Sequence, residues 1–355
     1  MTVTIRHWDD PSSWNAFVAG VPHVHFQQSW QWGDLAPQLG GEAVRLAAVR
    51  DGELCGAMQV FVNRIAGGGR TMLYVPRGPA LREQSARLYS PLIEAARTLG
   101  RRRNALGLRI ETNLPSDEVA ATRILNALRL RPTYPPSQPR SSWMLDVTED
   151  EDALLARMKQ KTRYNIRLSS RKGVEVSEAG PGDLEEFYAL YRITAERDDF
   201  FVHSIDVYRR MFDLFREAGM FTMLFARFEG TLIAATTLIH LGDTCWYLHG
   251  ASSNEHRNLM ATYLLQWEGI RRARGWGCRL YDFRAVPDLL REDQDMYGVY
   301  RFKEGFGGYQ YTTMHTYSQM YQPGAFGLWQ AYFSGRFAIT NWRRRRAGLP
   351  LRQFA

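Results

Sequence analysis

The sequence predicts an α/β (α+β) protein made by tandem duplication of one mixed unit, and three observations predict it. One order of signals occurs twice: strand, acid-glycine hairpin, strand, glycine-containing turn, helix, strand, acid, proline. The two runs keep their spacing, with an offset of 178 residues between Gly52 and Gly230 and 172 between Pro115 and Pro287. At 355 residues the chain is also long enough for two separate cores. Order and spacing preserved over so many elements mark an internal repeat. Two similar domains side by side leave a cleft, where ligands usually sit.

The first copy opens with a helix entry at 26–33. Residues 43–49 alternate as a half-buried strand does, Asp51-Gly52 is the strongest short hairpin signal, and 54–62 supplies the partner strand. A glycine-rich loop at 66–69 leads to a strand at 71–75 and the turn Pro76-Arg77-Gly78-Pro79. Leu88, Leu92, Ile93, Ala96 and Leu99 recur at helical spacing within 83–103, and a strand at 106–111 ends the copy before Pro115. In the second copy, strands at 225–228 and 232–239 flank Glu229-Gly230. A strand at 245–251, a helix at 258–274 and a strand at 279–283 follow, closed by Pro287. The proline-rich stretch 131–139 separates the copies, because it can continue neither a helix nor a central strand. After a strand at 142–147, one basic helix is expected over 154–173, carrying Arg157, Lys159, Lys161, Arg163, Arg167, Arg171 and Lys172. Such a run is either a solvated face or a track for a phosphate-rich ligand.

Hydrophobic content of 45% and charged content of 23% exclude a disordered chain. The N-terminus has neither a basic start nor an apolar run, and no segment approaches the roughly 20 apolar residues of a membrane span. A cytoplasmic protein is expected. Cys55, Cys245 and Cys278 lack metal or redox spacing and read as small buried hydrophobes. His23 and His25 share a face without a third ligand, so no metal site is expected, and no Ser-His-Asp or Cys-His arrangement stands out. The net charge of +8 calls for an anionic partner.

Lys303 lies between Phe302 and Phe306, ahead of Gly307-Gly308. It has two readings. A lysine among aromatics can fix positive charge near a reacting oxygen. Alternatively, it is a solvated side chain on a strand whose phenylalanines enter the core. Considered alone the second is commoner; the repeat and the pattern below favour the first.

Taken in order, Gln28-Ser29 with Trp32, Arg77-Gly78-Pro79, 161–167 with 172–174, 194–198, 247–251, 264–267, 281–283 and 302–307 resemble the Fem-type (FemA, FemB, FemX) aminoacyltransferases. These enzymes branch the stem peptide of bacterial cell-wall precursors using aminoacyl-tRNA. The resemblance covers nearly the whole chain and implies two GNAT-like domains. The first would hold 1–140 plus about 312–335, with a strand near 312–321 returning to it, and the second 141–311. A basic aromatic tail would occupy 336–355. The link after 173 is too short for the helical arm of larger relatives, so the compact FemX-like form is implied.

By the same resemblance, Lys303, Phe302, Tyr247 and Asp282 are catalytic candidates. Glu111, His203, Tyr208, Arg77 and His249 are candidates for binding substrate. Lys161, Arg163, Arg167 and Arg171 are candidates for tRNA or phosphate. Aminoacyl-tRNA is the implied co-substrate, no further cofactor is implied, and the acceptor is a UDP-linked or lipid-linked muropeptide. His203 stands where relatives have an arginine, and Ala36 where some have a lysine, so either the precursor's phosphate end would be held differently here or the acceptor is not the usual nucleotide-linked one.

The implied reaction is aminolysis of the aminoacyl ester, with Lys303 as a cation at the oxyanion. No base is obvious: His203, His249, Asp282 and Glu111 are each more often structural, and a substrate-assisted route fits the family. Two rivals stand beside this reading. One is an acetyl-CoA-dependent acyltransferase, against which 254–261 lacks the closely spaced glycines of a pyrophosphate loop. The other is a non-catalytic RNA- or membrane-binding protein. The segment 326–346, aromatic with four consecutive arginines, reads equally as a packed helix or as a contact for tRNA phosphates or the inner membrane surface.

Overall fold

The computed structural model describes residues 2–65, 69–347 and 349–352. Residues 66–68 of the expected glycine-rich loop lie outside them. The chain divides into two compact units, one of Met1–Ser141, Val286–Tyr297 and Tyr311–Ala355, the other of Ser142–Ala285 and Gly298–Gln310.

The first unit contains β1 (Thr4–His7), α1 (Pro11–Ala19), α2 (Trp30–Asp34), β2 (Gly41–Arg50), β3 (Glu53–Arg64), β4 (Thr71–Pro76) and β5 (Ala80–Leu81). Next come α3 (Ala86–Arg102), β6 (Ala105–Glu111), α4 (Val119–Ala127) and β7 (Arg131–Thr133). Asp51 and Gly52 both take positive φ, 53° and 86°, as a two-residue type I′ hairpin requires. Leu88, Leu92, Ile93 and Ala96 of α3 enter the core with Leu73, Leu108 and Ile110 of the sheet. Each buried leucine or isoleucine contributes about 1.5–3 kcal/mol.

The second unit contains β8 (Ser141–Asp146), α5 (Glu151–Arg157), α6 (Gln160–Arg171), β9 (Glu175–Ala179), α7 (Leu184–Asp198) and α8 (Ile205–Glu217). It continues with β10 (Phe221–Phe228), β11 (Thr231–Leu241), β12 (Thr244–Ser252), α9 (Ala261–Gly275), β13 (Leu280–Ala285), α10 (Tyr297–Glu304) and β14 (Tyr309–Thr312). The same hairpin geometry recurs at Glu229 and Gly230, with φ of 50° and 80°. Strands run β14-β8-β13-β12-β11-β10-β9. β15 (Thr316–Met320) then returns to the first sheet between β6 and β7, and α11 (Pro323–Arg346) follows.

Four expectations are corrected. The basic helix is two helices, because Met158 turns extended (ψ 152°) and Arg163 reaches back to the carbonyls of Leu155, Ala156 and Met158, satisfying the end of α5. Lys303 lies on the helix α10 and is buried, so the solvated-strand reading fails. No boundary falls at 336, since α11 runs through it. Residues 286–297 group with the first unit, not with 141–311.

The two sheets differ where β-strands run parallel. In the first, β4 and β6 pair from Thr71 with Ala105 to Pro76 with Glu111. In the second, β12 and β13 pair only over Thr244–Trp246 and Leu280–Asp282, and then part.

Candidate functional site in the second unit

Two bulges explain the parting. Along β12 the register steps from Thr237 opposite His249 to Leu238 opposite Tyr247, leaving Leu248 extra. Along β13 it slips between Asp282 and Ala285, where Arg284 takes φ of 60° and its N–H donates to Asp282 Oδ1 at 2.6 Å. Bulges bend strands and re-aim side chains. A cavity of about 340 Å³ results, with Tyr247, Phe302, Gln266, Arg197, Asp198 and Arg257 in its wall. The Tyr247 hydroxyl occupies the place a Cβ at Gly250 would fill, so any side chain there would displace that hydroxyl. Burial pushes that hydroxyl up to about 12. Thr194 Oγ1 accepts from the Ser252 N–H at 2.9 Å, and Arg197 donates to Ser252 O and Asn254 Oδ1, each at 3.0 Å, fixing the end of β12.

Phe302 stands edge-on to Tyr263 (4.9 Å) and Phe306 (5.3 Å). The next residue, Lys303, is 4% exposed, and its Nζ donates to Ala285 O at 2.7 Å and Arg284 O at 3.3 Å. Burial pulls its pKa down to about 7; the Asp282 carboxylate opposes the fall and the Arg284 cation adds to it. A neutral amine has two N–H bonds, which the two carbonyls would engage, leaving its lone pair free. Lys303 and Asp282 are thus both buried, at 4% and 5% exposure, and neither is among the residues of the cavity wall.

His249 is ringed by Tyr191 and Tyr208 at 5.4 Å and by Phe212 at 6.1 Å, with Nδ1 3.0 Å from Thr237 Oγ1. Burial, with Arg284 and His203 nearby, pushes its pKa down to about 3, so it is neutral and a weak base. Tyr208 is buried, and its hydroxyl accepts from the His203 N–H at 3.3 Å; the His203 ring itself is exposed and lies edge-on to Phe201.

Glu111 and Arg77 belong to the first unit. Glu111 accepts from Tyr74 (2.6 Å), Ser137 N–H (2.7 Å) and Thr316 (2.8 Å), joining β4, β6 and β15. Arg77 donates to Thr313 Oγ1 at 2.9 Å and to Pro139 O. Of the four basic candidates, Arg163 caps α5, whereas Lys161, Arg167 and Arg171 are exposed on α6. Tyr164, 55% exposed, falls in their stripe and was not singled out by sequence. Neither was Arg257, which also lines a second cavity of about 400 Å³ at the start of α9. Arg284 was missed too; its only signature is a left-handed backbone, invisible in a non-glycine residue. Among the described residues no group of three or more His, Cys, Asp or Glu side chains could hold a metal ion.

Two similarly ordered mixed sheets, one with a parted parallel pair facing a helix start, define a tandem GNAT-like protein. The fold resembles the crystal structure of FemX with a TM-score of 0.86, at 21% identity over 92% of this chain and 100% of that one. It also resembles a tandem GNAT protein from the clavulanic acid biosynthesis pathway, with a TM-score of 0.55 at 12% identity over 90% and 98%. The FemAB family model matches residues 10–123, 130–230 and 226–332, and the chain belongs to the FemAB family. Among curated relatives, the Lipid II:glycine glycyltransferase of Staphylococcus aureus (strain MRSA252) is 22% identical over 371 residues, covering 83% of this chain and 88% of that protein. The Fem-type resemblance and the paired GNAT-like fold without a helical arm are borne out.

Proposed function

We propose that this protein is an aminoacyltransferase that moves an amino acid from aminoacyl-tRNA to a side-chain amine of a peptidoglycan precursor stem peptide. Family membership and the glycyltransferase among its relatives support the class of reaction. The observation that carries the site is Lys303: a buried amine poised near neutrality, held by two carbonyls and next in sequence to Phe302 of the cavity wall.

The acceptor amine attacks the ester carbonyl, an amide bond forms, and the ribose hydroxyl leaves with the electron pair of the broken C–O bond. The amine must lose a proton and the leaving oxygen must gain one. A group with pKa near the working pH serves both needs. Neutral Lys303 takes the proton; as a cation beside Asp282 it stabilises the oxyanion and returns the proton to the ribose oxygen. This revises the expectation of a permanently charged lysine. Arg257 and the N-terminus of α9 offer an anion site for the terminal phosphates of the tRNA. The stripe of Lys161, Tyr164, Arg167 and Arg171 offers cations with an aromatic between them for the tRNA body.

The relative's named lipid II favours the lipid-linked acceptor. That acceptor is met at a bilayer, so the protein would work peripherally at the cytoplasmic face. Among the described residues no helix is long and apolar enough to cross a membrane.

The test incubates the protein with mixed aminoacyl-tRNAs, or acetyl-CoA as the rival donor, and UDP-linked or lipid-linked precursor, and reads the mass added. One amino-acid residue is expected, lost in Lys303→Met by about 100-fold or more. An acetyl increment alone would replace this reading with the CoA one.

A further inference from the structure

We propose that the outward face of α11 is a docking surface for an anionic lipid bilayer. α11 is apolar on two opposite faces. Its inner face is covered: Phe326 packs with Met72 and Leu106, and Phe337 lies 5.6 Å from Tyr134. Its outer face is uncovered: Leu328 is 76% exposed, Tyr332 64%, Ile339 52% and Trp342 56%. At 100° per residue these four fall within one sector, opposite Phe326 and Phe337. A helix of a water-soluble protein normally turns charge outward, so an apolar outer stripe asks for a covering partner.

The charge around the stripe identifies that partner. Arg336, Arg343 and Arg345 flank it and Arg346 ends it, all exposed. Arg346 lies 4.9 Å over the Trp342 ring and Arg336 5.8 Å over Tyr332, the aromatic-with-cation pairing suited to the headgroup level of a membrane. From Pro323 to Ala355 the sequence has no Asp or Glu. An apolar centre with cationic margins lets side chains enter the acyl boundary while guanidinium groups meet phosphates. RNA would need cations at the centre of the face, where Leu328 and Ile339 stand. A second copy would set arginine against arginine. The family match ends at residue 332 and α11 continues to Arg346, so Ile339, Trp342 and the flanking arginines lie beyond the matched residues. The surface deepens the lipid-linked reading of the acceptor and rests on it, while the flotation that tests the surface needs no turnover.

Full-length protein is floated with phosphatidylcholine vesicles containing phosphatidylglycerol, or with phosphatidylcholine vesicles alone, without tRNA or precursor. The wild type is expected to float with the anionic vesicles. The triple variant Leu328→Gln, Ile339→Gln, Trp342→Gln should lose about tenfold or more of the partitioning at any salt. Arg343→Gln with Arg345→Gln and Arg346→Gln should lose roughly fivefold per charge at low salt. Both should melt like the wild type and keep transfer to the soluble UDP-linked precursor, which separates failure of docking from failure of the enzymatic reading. The proposal is overturned if the wild type stays unbound or if neither variant changes flotation. It also fails if the variants instead dissolve a dimer in sedimentation or weaken tRNA binding alone.

Discussion

Lys303 sets chemistry against stability. Its pKa is about 7 in the folded protein against an ordinary 10.5, so between those values the unfolded chain binds more protons than the folded one. Stability from this group therefore rises with pH through that window, and below about 7 the cost of burying the cation is felt in full. Lys303→Met removes that cost and fills the same space. At pH 6 it should stabilise the protein by about 2 kcal/mol, a rise of several degrees in Tm, with the gain shrinking toward pH 10. The same variant should be inactive. A structural lysine would give the opposite pairing, lost stability with retained turnover, in thermal melts across pH set beside the transfer assay. Asp282 belongs to the same balance: by favouring the charged form it opposes the fall that burial imposes on the amine.

At the scale of elements, the break between α5 and α6 divides the basic residues by role. Arg163 is spent on the carbonyls ending α5, while Lys161, Arg167 and Arg171 face outward. Replacing those three by Gln should weaken tRNA binding and flatten the slope of log K against log salt by about 2 to 3, measured by filter binding. Arg163→Gln should leave the slope alone and lower stability by ~1 kcal/mol through the lost cap. Equal effects from all four would return Arg163 to the phosphate track. The sequence could not foresee this division, because neither glycine nor proline stands at Met158-Lys159 and the break depends on a side chain folding back. The hairpins at Asp51-Gly52 and Glu229-Gly230 were legible because their chemistry is local. The parting of β12 from β13 was not, since bulges at Leu248 and Arg284 carry no glycine or proline signal.

On the scale of the whole molecule, the repeat was legible in order and spacing, but the route of the chain was not written in local pattern. The return of β15 to the first sheet came only with the family resemblance, because a central strand gathered from 316–320 is a non-local fact. That route makes an asymmetric prediction. A chain stopped after Gln310 keeps Ser142–Ala285 and Gly298–Gln310 of the second unit and cuts only the edge strand β14 short. It loses β15, and with it the pairing that β6 and β7 each make to that strand. Tyr317 leaves the first core, and Thr316 no longer donates to buried Glu111. The lost donor to the buried carboxylate, the two opened strand edges and the lost core side chain together remove stability on the order of a domain's whole margin. Hydrogen exchange should then find amides of β2, β3 and β6 unprotected while those of β10, β11 and β12 keep their native protection. Full protection of both sheets in the shortened chain would mean that β15 is dispensable to the first unit, and uniform loss would mean that the second unit does not hold its fold without the first.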